Sequence, residues 1–392
     1  MKKIGVIGLL TVLLLCGCAV RQNPSDRTAV LKPVGLWISY SEVNALFGSE
    51  KGVRAAWEET VKRCRDLQIT DLYVHVRSHG DSLYPSAYFP LMPSAASCGF
   101  DVLGEMVACC HKAGIKIHAW INPYRISTAV REVSSLPQDS PAFRWRQDGN
   151  PDNDRNVIEY NGIYLNPAED DVKELVLNGV REILETYAVD GIHFDDYFYP
   201  TDDPAFDEES YRRYCETAQN PLPLSEWRRT HVTTLIEGCH ALVKAAGKNT
   251  VFSVSPAASI SANTEKLYAD IGEWVENGML DAVIPQLYFG YKYPDEQYRF
   301  EPLLKEWKAL AARNPSVKLL IGLAPYKLGT TVKSDREEWE SGTDIVARQT
   351  EACLRDHAVS GVLFFSASSL FAEDGAHTEQ RENIKAVLLG EK

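Results

Sequence analysis

Two adjacent carboxylates, Asp195 and Asp196, are the residues of this chain best suited to chemistry. They follow a run of β-branched and aromatic residues that favours a buried strand. Because side chains alternate along a strand, His193, Asp195 and Tyr197 share one side, which we expect to face inward. A carboxylate at the carboxyl end of an interior strand is costly to bury without a task. We therefore predict a catalytic role for Asp195, in preference to helix capping or pairing with an arginine.

Hydrolysis of a glycosidic bond is one reaction that such a pair could perform. It needs one carboxyl group to protonate the leaving oxygen and another to act as nucleophile or base. We predict Asp195 as the charged partner. Asp196 is the favoured proton donor if the strand ends at Asp195 and the chain then turns. Asp81, Glu42 and Glu159 are the other candidate donors.

Aromatic and polar side chains recur at the ends of five predicted strands. Such a mixture suits a carbohydrate, whose C–H faces stack on rings and whose hydroxyls need fixed donors and acceptors. The predicted substrate-binding residues are Arg77, Asp81, His118, Trp120, Asn122, Tyr124, Arg125, His193, Tyr197, Gln286 and Tyr288. We also expect His193 to donate a hydrogen bond that keeps Asp195 ionised.

Eight β-rich runs alternate with amphipathic helical patterns along the chain. The runs are residues 34–40, 71–77, 116–124, 191–198, 251–256, 281–289, 318–326 and 361–368. Eight β-then-α units predict an α/β fold, a closed (β/α)8 or TIM barrel. A doubly wound sheet would need fewer strands and usually a glycine-rich first turn, which is absent. The long connections after strands three and four, residues 127–165 and 201–225, should wall a cleft at the carboxyl ends of the strands.

The N-terminus carries a targeting pattern. An apolar run at residues 4–15, too short to span a membrane, closes on Leu15-Cys16-Gly17-Cys18. This pattern predicts a lipoprotein signal peptide over residues 1–17, a lipidated Cys18 and a tether over residues 18–33. Ordinary secretory cleavage nearby, or an uncleaved anchor, is the alternative. We expect a catalytic domain over residues 34–392, held at a membrane of the bacterial cell envelope on its periplasmic or cell-surface side.

Composition and missing motifs argue against several other functions. The formal net charge is −13 and no basic stripe is present, so nucleic acid is not an expected partner. The chain has no Walker loop, HExxH or nucleophile elbow. The seven cysteines after Cys18 do not have the spacing of metal ligands, so we expect no cofactor and no disulfide framework. One disulfide bridge in an oxidising compartment is the alternative. The acidic stretch at residues 148–154 alternates as calcium ligands do but lacks the downstream glutamate, so a plain acidic loop is the better interpretation.

Six motifs give the chain a family resemblance. They are VRSHGDSLYPSAYFP, IHAWINPYRI, YLNP, VDGIHFDDYFYP, EWRRTHV and IPQLYF. In this order, over residues 35–369, they resemble the glycosyl hydrolase-like family 10 lipoproteins. The resemblance implies a glycosidase-like barrel on an envelope lipoprotein, and bacterial relatives include an enzyme that cleaves peptidoglycan glycan strands without stem peptides. It also implies functional roles for most of the site residues named above and, in addition, for Arg228. Ser78 and the run SVSPAASI depart from the family pattern.

Two functions stay open at this point. One is a hydrolase acting on glycan chains at the cell envelope, and the other is a glycan-binding lipoprotein without catalytic activity on the same scaffold. A fold hosts many functions, so the barrel alone does not separate them.

Overall fold

The computed structural model describes residues 32–195, 198–247, 249–330 and 336–391. Cys18, Asp196 and Tyr197 lie outside the described residues, and so does the whole of the predicted signal peptide. The lipidation of Cys18 and the roles of Asp196 and Tyr197 therefore stay predictions. None of the described helices combines the length and the apolar character that crossing a membrane requires.

Eight parallel strands close into a barrel in the order of the chain. They are β1 (Val34–Ile38), β2 (Asp71–Arg77), β3 (Lys116–Ile121), β4 (Gly191–Phe194), β5 (Val251–Val254), β6 (Ala282–Val283), β7 (Lys318–Leu323) and β8 (Gly361–Phe364). Each strand pairs with the next, and β8 pairs with β1. The predicted (β/α)8 barrel is confirmed.

A helix follows each barrel strand. These helices are α1 (Gly52–Asp66), α2 (Val102–Ala113), α3 (Asp170–Thr186), α4 (Leu224–Ala246), α5 (Ile271–Glu276), α6 (Phe300–Ala311), α7 (Ile345–Arg355) and α8 (Gly375–Leu388). Shorter helices lie in the loops, at Tyr40–Phe47, Pro93–Ala96, Pro141–Gln147, Glu208–Thr217, Ile260–Lys266, Arg336–Trp339 and Ala367–Leu370. Single 3-10 turns occur at Val133–Ser135, Asp154–Asn156, Pro204–Asp207, Glu296–Tyr298 and Pro325–Lys327.

The long connection after β3 has structure of its own. Arg125–Ser127, Val157–Glu159 and Ile163–Leu165 form a small antiparallel sheet with Ile163–Leu165 in the centre. The seven cysteines among the described residues are all unpaired.

The barrel strands bury both of their faces. Outward side chains pack beneath the helices in one large apolar cluster, as expected for a parallel sheet covered by helices. Inward side chains form a second, smaller cluster that includes Trp37, Tyr73, Trp120, Leu320 and Leu363. Aromatic rings therefore fill much of the barrel interior below its carboxyl end.

Several strands end earlier than the sequence predicts. β4 ends at Phe194, so Asp195 is the first residue beyond the strand. β6 contains only Ala282–Val283. Beyond it, Gln286 forms isolated bridges to Ala257, which follows β5, and to Gly322 in β7. Residues at these carboxyl ends leave the regular ladder, and their side chains are free to line a cavity.

Candidate active site

A cavity of about 290 Å³ opens at the carboxyl ends of the barrel strands. Its lining is almost entirely aromatic or polar. The lining residues are Trp37, Ser39, Tyr40, His75, Trp120, Arg125, Asp195, Ser255, Gln286, Tyr288, Tyr326 and Phe365. Five of the predicted site residues are among them, namely Trp120, Arg125, Asp195, Gln286 and Tyr288.

Asp195 is buried at the base of this cavity. The side-chain amide of Gln286 donates to Asp195 Oδ1 at 3.2 Å and to the carbonyl oxygen of Ser255 at 3.1 Å. The backbone N–H of Gln286 in turn donates to the carbonyl of Pro256 at 3.0 Å. Because Gln286 is fixed on both its backbone and its side chain, it orients the Asp195 carboxyl toward the cavity.

Two polar atoms of the cavity wall, Trp120 Nε1 and Ser255 Oγ, have no hydrogen-bond partner within the described part of the chain. Burial, together with the nearby Arg125 guanidinium, holds the pKa of His75 well below its usual range, so the ring is neutral. Buried polar groups are nearly always hydrogen-bonded in native proteins. Trp120 Nε1 and Ser255 Oγ therefore both have hydrogen-bonding capacity that the described chain does not use, next to a cavity that could hold a ligand.

Aromatic rings surround the opening. Tyr288 lies 5.8 Å from Tyr326 and 5.9 Å from Phe365 between ring centroids. Tyr40 and Tyr326 are each 44% exposed, which is unusual for large rings in this chain. Exposed rings around a polar base suit the C–H faces of a sugar.

Seven of the lining residues were not predicted from the sequence. They are Trp37, Ser39, Tyr40, His75, Ser255, Tyr326 and Phe365. Strand alternation could have predicted Trp37 and His75. Trp37 lies two residues after Gly35 in β1, and His75 lies two residues after Tyr73 in β2, so each points to the same inward side as its predecessor. Tyr326 and Phe365 lie just after β7 and β8, two strands from which no substrate-binding residue was predicted.

Arg77 does not line the cavity, contrary to the prediction that it faces the cleft. The register of β2 against β3 shifts between His75, which pairs with Trp120, and Arg77, which pairs with Ile121. This bulge turns Arg77 to the outer face of the barrel, where its guanidinium is buried over the Phe89 ring at 4.0 Å.

The two predicted histidines lie deeper in the barrel than expected. His118 Nε2 lies 3.0 Å from Asp71 Oδ1, and its ring stacks on Tyr73. His193 Nε2 accepts a hydrogen bond from Trp37 Nε1 at 3.0 Å, and Nδ1 lies 2.9 Å from Ser253 Oγ. The expected hydrogen bond from His193 to Asp195 is therefore wrong, since both ring nitrogens are engaged elsewhere. His193 instead positions Trp37, which lines the cavity.

Asn122 and Tyr124 are buried and do not line the cavity. Asn122 Nδ2 donates to the carbonyl of Ser78 at 3.2 Å. Tyr124 packs in the outer apolar cluster. The prediction that Asn122 and Tyr124 contact the substrate directly is therefore wrong for this cavity.

Two of the alternative proton donors are engaged elsewhere. Glu42 accepts from the Ser39 backbone N–H at 2.7 Å and from Ser366 Oγ at 2.6 Å, and so ties the ends of β1 and β8 together. Glu159 accepts from the backbone N–H of Val133 at 2.6 Å in the loop after β3. Neither lines the cavity.

Asp81, the remaining alternative, lines a second pocket next to the cavity. Burial raises the pKa of its carboxyl, and within the described part of the chain a hydrogen bond from its own backbone N–H partly offsets this effect. Among the described residues, no group of three or more His, Cys, Asp or Glu side chains is placed to hold a metal ion.

Replacing Asp81 with Asn should raise the melting temperature at neutral pH. The pKa of Asp81 is higher in the folded protein than in the unfolded chain, so its ionised form destabilises the fold above the folded-state pKa. Below about pH 3.9, the ordinary value for Asp, the group is protonated in both states and the gain should vanish. Melting curves from pH 3 to 8, roughly spanning that range, would measure it.

Asp71→Asn is the matched control with the opposite sign. Burial alone would raise the pKa of Asp71, but the hydrogen bond and charge of His118, the hydrogen bond from Thr70 and the charge of Lys116 together lower it. The ionised Asp71 therefore stabilises the fold above the unfolded-state pKa, and its loss should lower the melting temperature at neutral pH. A melting temperature for Asp81→Asn that is unchanged at every pH would contradict the assignment of an unpaired, partly buried carboxyl.

Comparison with known proteins bears on the class of this site. The family model described as glycosyl hydrolase-like 10 matches residues 33–341. The glycosyl hydrolase DigH of Escherichia coli is 30% identical over 96% of this chain and 94% of its own length. The glycosyl hydrolase YngK of Bacillus subtilis is 29% identical over 86% of this chain and 68% of its own length.

Solved structures support the fold. The PgaB (BpsB) glycoside hydrolase domain of Bordetella bronchiseptica matches with a TM-score of 0.59 and 13% identity, covering 89% of this chain and 98% of that domain. The catalytic domain of a Paenibacillus polymyxa β-amylase matches with a TM-score of 0.59 and 9% identity, over 90% and 98%. At such identities the likeness shows a shared barrel alone. The match of the family model across most of the barrel, together with the relative aligned along nearly its whole length, shows that the chain belongs to the glycosyl hydrolase-like 10 family.

Proposed function

We propose that the protein hydrolyses O-glycosidic bonds in glycan chains of the bacterial cell envelope. The observation that carries the proposal is the Asp195 carboxyl, oriented by Gln286 at the base of a cavity lined by aromatic rings and unpartnered polar atoms. Such a cavity at the carboxyl face of a barrel can stack a sugar ring, bind its hydroxyls and present a carboxylate to it.

Asp195 serves as the charged carboxylate in this proposal. Asp196, the next residue, remains the favoured proton donor. Asp81 is the alternative donor, because a carboxyl whose pKa is raised by burial keeps its proton closer to neutral pH. Donor variants should lose most activity on substrates with poor leaving groups, since activated aryl glycosides need little protonation.

Peptide-free peptidoglycan glycan is the substrate that we propose first. Membership of the family supports a glycan substrate, and the relatives that align over most of the chain are named as glycosyl hydrolases. The predicted signal peptide adds support, because it would deliver the barrel to the compartment where such strands occur.

Glycan binding without hydrolysis is the second candidate function. Among the described residues, Asp195 is the only carboxylate that lines the cavity, whereas hydrolysis needs two carboxyl groups. A protein of this kind would bind glycan chains and release no product.

Product analysis separates the two functions. The purified full chain would be incubated with peptide-free peptidoglycan glycan, with intact peptidoglycan and with a panel of common polysaccharides. New reducing ends and shortened chains, detected by mass spectrometry, are the expected result. Saturable binding to a glycan that is never shortened would replace the hydrolase by the binding protein.

Replacing Cys18 with Ala should move the protein from the membrane to the soluble fraction. We propose that Cys18 is the lipidated mature N-terminus, and because one acyl chain anchors only marginally, several chains on this residue are expected. Cys16→Ala is the matched control and should stay in the membrane fraction. Cell fractionation and the mass of the N-terminal peptide would measure both. A Cys18→Ala protein that is processed normally and still sediments with membranes would refute the anchor.

A further inference from the structure

A second pocket of about 330 Å³ lies beside the catalytic cavity, on the same face of the barrel. The loops after β1, β2 and β3 form it, and its wall includes the apolar side chains of Met92, Ile126, Leu136 and Pro137. Of its lining residues, the mechanism proposed above uses only Asp81, as the alternative proton donor, and gives no role to the rest of the pocket.

A thin partition separates the pocket from the cavity. Tyr40 lines both, and its ring lies edge-on to His75 of the cavity at 6.2 Å and to His79 of the pocket at 5.3 Å. A second link is the hydrogen bond that Arg125 Nε, of the cavity, donates to the carbonyl of Ser78, a residue of the pocket wall, at 3.0 Å. One exposed ring therefore lines both spaces, so the two spaces adjoin at Tyr40.

Polar groups in the pocket lack partners. The Ser140 side chain is 2% exposed, lines the pocket, and its hydroxyl makes no hydrogen bond within the described part of the chain. Ser140 precedes the helix Pro141–Gln147 but does not cap it with its side chain. Among the residues that the structure describes, none other than Asp81 itself donates a hydrogen bond to the Asp81 carboxyl. Because buried polar groups are nearly always hydrogen-bonded, a buried hydroxyl without a partner in a pocket wall points to a ligand that forms the missing hydrogen bond.

We propose that this pocket is a second sugar-binding subsite, which holds the unit next to the one at Asp195 in the same glycan chain. The proposal rests on the proposed function and specifies its substrates as oligosaccharides or polymers rather than single sugars. The apolar wall would pack against the C–H face of the neighbouring ring, and Ser140 and Asp81 would bind its hydroxyls. Tyr40 would contact both units.

Two serine variants test the subsite against the cavity. Ser140→Ala removes the unpartnered hydroxyl of the pocket, and Ser255→Ala removes the equally buried, unpartnered hydroxyl of the cavity. Neither change breaks a hydrogen bond within the described chain, so neither should lower stability. Calorimetry on the full chain, in an Asp195→Asn background that prevents turnover, would measure Kd for chito-oligosaccharides and peptide-free peptidoglycan fragments, from monosaccharide to hexasaccharide.

The expected result depends on ligand length. Ser255→Ala should weaken binding at every length by roughly 2- to 10-fold, the equivalent of one hydrogen bond. Ser140→Ala should weaken binding by a similar factor only for ligands long enough to reach the second pocket. Ala129→Trp, at an exposed position on the pocket rim, should reduce the affinity of long ligands to that of short ones.

Failure of the subsite is distinct from failure of the proposed function. If long ligands bind no more tightly than short ones, or if Ser140→Ala and Ala129→Trp leave long ligands unaffected, the subsite is refuted while the function stands. If no ligand of any length binds, both are refuted. A loss for Ser140→Ala that is equal at every length would also overturn the subsite, since short ligands would then occupy the pocket themselves.

Discussion

Replacing Asp195 with Asn should lower turnover on the best glycan substrate by several orders of magnitude, while the barrel stays folded and still binds glycan. The amide keeps the shape of the side chain and an oxygen that can accept from Gln286 Nε2. It removes the negative charge that a nucleophile or base requires. The loss should therefore fall on kcat more than on the affinity for substrate.

A matched control lies in the loop that follows the same strand. Asp202 is exposed and does not line the cavity, so Asp202→Asn makes the same chemical change without touching the site. Its turnover should equal that of the unaltered protein. Reducing-end release, melting temperature and glycan affinity would be measured for all three proteins. A folded Asp195→Asn protein with near-normal turnover would show that the chemistry lies elsewhere.

The barrel could be predicted because its signals are local and repeated. Eight β-rich runs alternate with helical patterns, and a parallel strand covered on both faces must be apolar. The carboxyl ends of strands were harder to predict. β4 and β6 both end early, because residues such as Asp195 and Gln286 leave the ladder and turn toward the cavity.

Strand alternation gives the side on which a residue lies but not its height in the barrel. His118, Trp120 and Asn122 share a parity along the chain, yet His118 bonds to Asp71 deep in the barrel while Trp120 lines the cavity. His193 likewise lies one layer below Asp195 and bonds to Trp37. Height depends on the stagger between neighbouring strands, which the sequence of one strand does not contain.

Arg77 illustrates a different limit. Simple alternation places it inward with Tyr73 and His75, but a single bulge between His75 and Arg77 reverses its direction. Tyr40 and the second pocket escaped prediction because they depend on loops after β1, β2 and β3 that meet only in the folded chain.

Replacing Arg228 with Met should lower the free energy of unfolding by about 3–5 kcal/mol, the usual cost of leaving a buried charge without its partner. Both Arg228 and Asp207 have side chains with 0% exposure, and Arg228 Nη2 lies 2.5 Å from Asp207 Oδ1. The same guanidinium donates to the carbonyl of Asp203 at 2.9 Å and to Tyr268 Oη at 3.0 Å. It thus fixes the start of α4 to the loop that follows Asp195.

A double variant distinguishes the ion pair from simple packing. Arg228→Met with Asp207→Leu removes both charges, so it should be more stable than Arg228→Met alone, which leaves the Asp207 carboxylate buried and unpaired. Arg212→Met is the matched surface control. Its pair with Glu216 is 59% exposed on both sides, and exposed pairs contribute little. Denaturant unfolding of the three variants would measure these differences. An Arg228→Met protein as stable as the unaltered chain would mean that water reaches Asp207, and that the loop beside the catalytic carboxylate is held by other contacts.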